Sequence, residues 1–72
     1  METITITTEF IKLQDLMKLA NLVSSGGEAK VLILDGQVTV NGETCLQRGK
    51  KIRPGDAVAF RGRELGVAYA DR

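Results

Sequence analysis

Three turn signals divide the second half of the sequence and limit what it can fold into. Asn41-Gly42, Pro54-Gly55 and the segment around Gly62 each contain residues that tolerate or preset the dihedral angles of tight turns. Asn-Gly after an alternating apolar segment such as Val38-Thr39-Val40 is the strongest short-range signal for a β-hairpin. The same alternation continues after each later turn, in Val58 and Phe60 and then in Leu65, Val67 and Tyr69. The second half is therefore predicted to form several short strands.

The first half begins with a strand pattern and then changes its period. Ile4 and Ile6 alternate with threonines, which indicates a half-buried strand. From about Lys12 to Val23 the apolar residues follow the spacing of a helix instead, with Leu13, Leu16, Met17 and Ala20 on one face. We therefore expect an amphipathic helix after the first strand.

A second helix is predicted to begin after Ser25. Glu28 stands three positions later, the spacing of a capping box, in which each side chain accepts a hydrogen bond from the backbone N–H of the other residue. Ala29, Leu32, Ile33 and Gly36 continue the helical period, and Gly36 can end the helix in a left-handed conformation. Lys30 points away from the buried face.

The composition excludes several classes of protein. A chain of 72 residues without repeats or linkers predicts one domain, and the absence of a long apolar segment or a signal peptide predicts a cytoplasmic protein with no membrane partner. Cys45 is the single cysteine and there is no histidine, so we expect no disulfide, no metal site and no activated nucleophile. Neither an enzyme, a cofactor nor a small-molecule substrate is predicted.

Positive charge is concentrated in the middle of the chain. Residues 30 to 63 contain seven cations and three carboxylates, whereas the whole chain has a net charge of only +1. Four of the cations, Arg48, Lys50, Lys51 and Arg53, lie between two turn signals with no carboxylate among them. Unpaired cations that a short loop presents together attract polyanions, because each neutralised phosphate releases counterions.

The three aromatic residues predict how such a polyanion would be recognised. Phe10, Phe60 and Tyr69 fall in or beside apolar patterns, so we expect them in the core. Proteins that bind single strands usually stack bases on exposed rings, and no ring lies within the basic stretch. The sequence therefore favours folded or double-helical RNA, recognised by shape and backbone. Asn41 and Asp56 are expected to have structural roles in turns rather than to contact RNA. Lys18 is expected to be a solvated surface residue.

The segment from Ala29 to Gly42 resembles the RNA-binding domain named after ribosomal protein S-four, also called the αL motif. The matching residues are Ala29-Lys30-Val31-Leu32-Ile33, Gly36 and Val38-Thr39-Val40-Asn41-Gly42, with Gly55-Asp56 before the last core strand and Lys12-Leu13 at the first helix. The stretches SGGEAK and RGKKIRPGD are similar to the small stand-alone bacterial members. An arginine that commonly follows the serine of the second helix is missing, since Gly26 and Gly27 occupy that region.

The resemblance implies an α+β fold in which two helices pack on a small, bent, mostly antiparallel sheet. It covers a core of residues 12 to 60, and we expect an added N-terminal strand to pair near the C-terminal strand. It also implies structured RNA as the partner, with ribosomal RNA the foremost candidate and a ribosome-associated or assembly role.

We therefore hypothesise one phosphate-contacting surface built from two helices and the loop after the hairpin. Its residues are Lys12, Lys30, Arg48, Lys50, Lys51 and Arg53. Arg61, Arg63 and the backbone of Gly26-Gly27 are open as further contributors. The alternative is a protein-interaction module, in which an edge strand such as Ile4 to Thr7 or Leu65 to Tyr69 pairs with a partner while the cations meet an acidic protein surface. Oligomeric state and RNA identity are not fixed by these patterns.

Overall fold

A computed structural model describes residues 1–70 of the chain. Its two helices and seven short strands confirm the predicted α+β class. In chain order they are β1 (Glu2–Ile6), β2 (Ile11–Lys12), α1 (Leu13–Leu19), α2 (Gly26–Leu34), β3 (Val38–Val40), β4 (Glu43–Thr44), β5 (Lys51–Ile52), β6 (Ala57–Phe60) and β7 (Arg63–Tyr69). No helix in the described part of the chain is long and apolar enough to cross a membrane.

Five of the strands form one mixed sheet in the order β1-β7-β6-β3-β4. Strand β1 runs parallel to β7, and the other pairs are antiparallel, which confirms the predicted pairing of the N-terminal strand with the C-terminal strand. Because β7 lies between β1 and β6, it is not an edge strand. The prediction that Leu65 to Tyr69 offers a free edge is therefore wrong, whereas β1 does lie at the edge.

Strands β2 and β5 form a separate antiparallel ribbon that the sequence patterns did not predict. Each strand has only two residues, too few for a periodicity to be recognised. Lys12 belongs to β2 and precedes α1, so the prediction that Lys12 lies on the first helix is wrong. The ribbon joins the start of α1 to the segment that contains Arg48, Lys50, Lys51 and Arg53.

Helix α1 ends earlier than predicted, at Leu19 rather than near Val23. Asn21 adopts the left-handed conformation with a φ of 60°, and the backbone N–H of Leu22 donates to the carbonyl of Met17. With the bond from the Asn21 N–H to the Lys18 carbonyl, this is a Schellman motif. Asparagine tolerates this conformation better than most residues, although glycine is the commoner signal.

Helix α2 begins and ends where the sequence predicts. Ser25 is its N-cap, and its hydroxyl accepts a hydrogen bond from the backbone N–H of Glu28 at 3.2 Å. The carboxylate of Glu28, however, accepts from the backbone N–H of Ser24 at 2.8 Å and not from that of Ser25, so the reciprocal half of the predicted capping box is shifted by one residue. Gly36 ends the helix with a φ of 79°.

Buried side chains from both helices and from the strands form one core cluster. Leu13, Leu16, Met17, Ala29 and Ile33 of the helices are buried with apolar residues of the strands, as the helical periods predicted. Of the aromatic residues, Phe60 is buried as expected, but Tyr69 is 55 % exposed and Phe10 is only half-buried. Tyr69 is the last residue of β7, at the end of the strand. The prediction that all three rings are core residues is therefore wrong for Tyr69 and incomplete for Phe10.

Candidate nucleic-acid interface

The β2–β5 ribbon turns an apolar face inward and a basic face outward. Ile11 pairs with Ile52, and Lys12 pairs with Lys51. Ile52 is fully buried and Ile11 half-buried, whereas both lysines are exposed, because successive residues of a strand point to opposite faces. The buried isoleucine pair therefore fixes the ribbon on the core and holds two lysine side chains side by side in solvent.

The loop that contains Arg48 and Lys50 is held against the beginning of α1 by its backbone. The first two N–H groups of the helix, from Leu13 and Gln14, donate to the carbonyls of Lys50 at 2.8 Å and Arg48 at 3.0 Å. Helix N-terminal N–H groups have no partner within the helix, and Lys12 supplies no side-chain cap. The loop carbonyls thus accept hydrogen bonds from the free N–H groups at the start of α1. These bonds place the backbone of the loop beside Lys12.

Phe10 lies beside Lys51 and Arg53, although these cations are 41 and 43 residues away from it in the sequence. The ammonium of Lys51 is 4.9 Å from the centroid of the Phe10 ring, and the guanidinium carbon of Arg53 is 5.7 Å from it. Both distances are within the range of cation–π interactions. The sequence patterns could not reveal this neighbour, because the two-residue strands that bring Phe10 near these cations are too short for a recognisable period.

An open groove of about 800 Å³ runs beside the ribbon. Its lining includes Lys50, Lys51 and Arg53. Residues 43–47, which form β4 and the beginning of the loop after it, also line the groove. Glu43 is the one carboxylate of that hairpin segment, and Asp56 lies at the turn that follows Arg53. The groove therefore carries excess positive charge on the side that the ribbon forms.

The turn after Arg53 is fixed by two polar side chains. Asp56 accepts hydrogen bonds from the backbone N–H of Arg53 at 2.8 Å and from the amide of Asn41 at 3.0 Å. The backbone bond, then the Asn41 bond, and lastly the nearby charges of Lys50 and Arg53 lower the pKa of Asp56 below its usual 3.8. Asn41 in turn accepts from the backbone N–H of Ala57 at 2.9 Å. Asp56 thus bonds nearby backbone as predicted. Asn41 forms its own turn and also links that turn to Asp56 and Ala57.

Lys30 is exposed on α2, as predicted, but no described contact joins it to the other five predicted residues. The ribbon and the docked loop bring the backbones of the other five together, and we call these residues the basic surface: Lys12, Arg48, Lys50, Lys51 and Arg53. Within residues 1–70 the ion pairs join Lys18 to Asp15 and Arg63 to Glu2, so neither Lys30 nor any member of the basic surface is held in one. All five side chains of the basic surface are exposed to solvent.

The remaining cations of the described chain are engaged elsewhere. Arg63 donates to the carboxylate of Glu2 from Nε at 2.9 Å and from Nη2 to both oxygens at 2.7 Å, in a fork-shaped ion pair. Arg61 donates to the side chain of Gln37 at 2.9 Å and lies over the ring of Phe60. These contacts leave Arg63 little capacity to serve as a phosphate ligand.

The N-terminus of α2 is occupied by its own acidic side chain. Glu28 accepts from the backbone N–H and the hydroxyl of Ser24, and the backbone bond first and the hydroxyl bond second lower the pKa of Glu28 below its usual value. Glu28 is therefore ionised at neutral pH, and its charge would repel a phosphate at Gly26-Gly27. The geometry favours capping over anion binding here.

Comparisons with known proteins agree with this architecture. The model of the S4 domain family matches residues 4–68. The chain is 42 % identical over 59 residues to the probable ribosome maturation protein RlbA of Bacillus subtilis (strain 168), covering 82 % of this chain and 83 % of that one. It is 39 % identical over 57 residues to YbcJ of Escherichia coli (strain K12), covering 79 % and 81 %. The solution structure of YbcJ, described as revealing an αL motif involved in RNA-binding, superposes with a TM-score of 0.72 at 35 % identity, covering 94 % of this chain and 87 % of that one. The chain belongs to the S4 domain family.

Proposed function

We propose that this protein binds structured RNA through the phosphate backbone, with the basic surface as its main contact. The observation that carries the proposal is that the β2–β5 ribbon and the loop docked against α1 group five exposed cations, none of which is in an ion pair within residues 1–70. Phosphate contacts from lysine and arginine supply most of the sequence-independent affinity for nucleic acids. Such contacts are favoured by exposed cations, and all five cations of the basic surface are exposed and lie outside the ion pairs of residues 1–70.

Ribosomal RNA is the target that we propose. The support is that one relative is named as a probable ribosome maturation protein and that the αL motif of the YbcJ structure is described as involved in RNA-binding. Ribosomal RNA offers many folded duplex regions in which phosphates lie across a groove, which is the geometry that a rigid patch of cations recognises. The protein would then act in the cytoplasm on ribosomal particles or their precursors, and the proposal assigns it no catalytic step.

Lys30 is a second contact within this proposal. It lies on α2 rather than on the ribbon, so it would contact a different phosphate from the five residues of the basic surface. Its support is its exposure and the lack of an ion pair within residues 1–70. An extended RNA duplex, rather than a short single strand, can touch both places at once.

The test is a charge reversal with a matched control. Lys50→Glu combined with Lys51→Glu should abolish binding to purified bacterial ribosomal RNA in a filter-binding assay. Single Lys51→Glu should weaken binding at least tenfold, whereas single Lys18→Glu, which changes the net charge equally outside the basic surface, should change it less than threefold. Equal effects of the two single variants would refute the assigned surface.

The competing function is a protein-interaction module that uses β1. The observation in its favour is that β1 lies at the edge of the five-stranded sheet, where an additional strand could pair. A partner bound in this way would remain bound to the Lys50→Glu, Lys51→Glu variant, because neither lysine lies on β1. Retained partner binding together with unchanged RNA binding would favour this alternative.

A further inference from the structure

We propose that Phe10 is a positioning residue, whose ring holds Lys51 and Arg53 in place for phosphate contact. The inference rests on the proposed function, because it assigns a role toward the same RNA. It goes further by placing an uncharged residue, distant in sequence, in control of two of the cations.

The geometry brings one ring and two cations to the same side of the ribbon. The register pairs Lys12 with Lys51, and continued by one residue it places Phe10 opposite Arg53. The ring centroid is 4.9 Å from the ammonium of Lys51 and 5.7 Å from the guanidinium carbon of Arg53. The ring therefore interacts with both cations that flank the buried Ile52 in the sequence.

Phe10 is itself held in place. Its side chain is half-buried, and its backbone carbonyl accepts a hydrogen bond from the hydroxyl of Thr8 at 2.8 Å. Ile11, the next residue, packs against the core and pairs with the fully buried Ile52. The strand next to Phe10 is thus anchored to the core, and the half-buried ring offers a surface on which long, flexible side chains can rest.

Such a contact assists binding because it limits the motion of the two side chains and leaves their hydrogen-bond donors free for a phosphate. Free lysine and arginine side chains lose much rotamer freedom when they bind a phosphate, and cations ordered beforehand lose less. An ammonium above a ring keeps donors that point away from the ring, and a guanidinium stacked on a ring keeps the N–H groups at its edge. Lys51 also gains an attractive contact that offsets the repulsion from Lys12 opposite it.

The RNA test compares substitutions at position 10. Phe10→Leu keeps an apolar side chain but removes the π face, and it should weaken binding to an RNA hairpin with a long duplex stem by about 3- to 10-fold. The slope of log K against log salt should become shallower by about 1 to 2, since one or two phosphate contacts are no longer ordered. Phe10→Tyr, which retains the ring, should bind like the wild type. Tyr69→Leu, the same kind of change at an exposed ring, is the matched control and should change neither quantity.

The outcomes separate positioning from stacking on a base. If Phe10→Leu weakens binding with an unchanged salt slope, the ring contacts the RNA directly and the positioning role is overturned. If Phe10→Leu binds like the wild type, the ring has no role in binding and the inference is likewise overturned. Chemical denaturation of each variant shows that the protein compared is folded.

A second measurement needs no RNA. In NMR spectra of the free protein, the side-chain proton resonances of Lys51 should be displaced by the ring current of Phe10 and should return toward ordinary lysine values in Phe10→Leu. Undisplaced resonances in the wild type would overturn the inference while leaving the proposed function standing. Displaced resonances in a wild-type protein that binds no RNA would instead overturn the proposed function, and the role of Phe10 with it.

Discussion

Lys12 and Lys51 lie directly opposite each other in the β2–β5 ribbon, so two positive charges share one cross-strand position. Like charges in this arrangement destabilise a strand pair, and a chain selected for stability alone would place a carboxylate at one of the positions. The pair is one of only two residue pairs in the ribbon. We therefore propose that function requires positive charge at this face of the ribbon.

Lys12→Glu is expected to make the protein more stable and to weaken its RNA binding. The substitution replaces a repulsive pair with an attractive one, and it adds a negative charge next to the N-terminus of α1. The free energy of unfolding should rise by about 0.2 to 1 kcal/mol at low salt, measured by urea denaturation. A variant that is less stable and binds RNA as tightly as the wild type would contradict the hypothesis that this lysine pair serves RNA binding.

Asn41→Ala is expected to destabilise the protein by about 2 to 3 kcal/mol, measured by urea denaturation. Asn41 has a φ of 52°, which alanine adopts only with strain. Its side chain also bonds Asp56 and the backbone of Ala57. Asn41→Gly is the matched control, because it removes the bonds but relieves the strain, and it should cost about 1 kcal/mol less than alanine. Equal losses in the two variants would show that strain contributes nothing.

Asp56 should make the protein's stability depend on pH in acid. Its hydrogen bonds lower the pKa of the folded state below the usual 3.8, so the ionised form stabilises the fold above that value. This contribution is lost as the pH falls through the lowered pKa, because the carboxylate must then be protonated. Urea denaturation from about pH 5 towards pH 2 should show the wild type losing more stability than Asp56→Asn. A constant difference between the two proteins across this range would contradict the assigned bonds.

The sequence predicted the helices and the main strands because their periods and turn residues act locally. Gly36 and Ser25 mark the ends of α2 correctly, and the alternating residues of β3, β6 and β7 lie in the core as expected, except for the exposed Tyr69. The left-handed Asn21 was missed because asparagine has several local roles. That residues 1–72 form a single domain stays a prediction.

The grouping of the candidate residues could be predicted in part, and their role in RNA binding stays a prediction. Five of the six chosen cations converge, since four of them are close in sequence and Lys12 precedes the helix that their loop contacts. Phe10 could not be recognised as their neighbour from its local pattern, because the register of a two-residue ribbon is fixed by the tertiary packing of Ile11 and Ile52. The role of Lys30 stays a prediction.

Ser25→Ala is expected to lower the free energy of unfolding by about 1 kcal/mol and to leave RNA affinity within twofold. The hydroxyl of Ser25 accepts the backbone N–H of Glu28 and so caps α2. If this end of the helix held a phosphate, the same substitution would also weaken RNA binding. Thermal or urea denaturation together with an RNA-binding assay on the same preparation distinguishes the two roles.

The salt dependence of RNA affinity tests the basic surface most directly. If about five phosphate contacts form, log K for a duplex RNA stem should fall against log salt with a slope of about −4 to −5, a loss of about 250- to 1,000-fold between roughly 50 and 200 mM salt. Lys51→Gln should make the slope shallower by about 1, and Lys18→Gln should leave it unchanged. An affinity that does not change over this range, or equal slopes for Lys51→Gln and the wild type, would contradict the account.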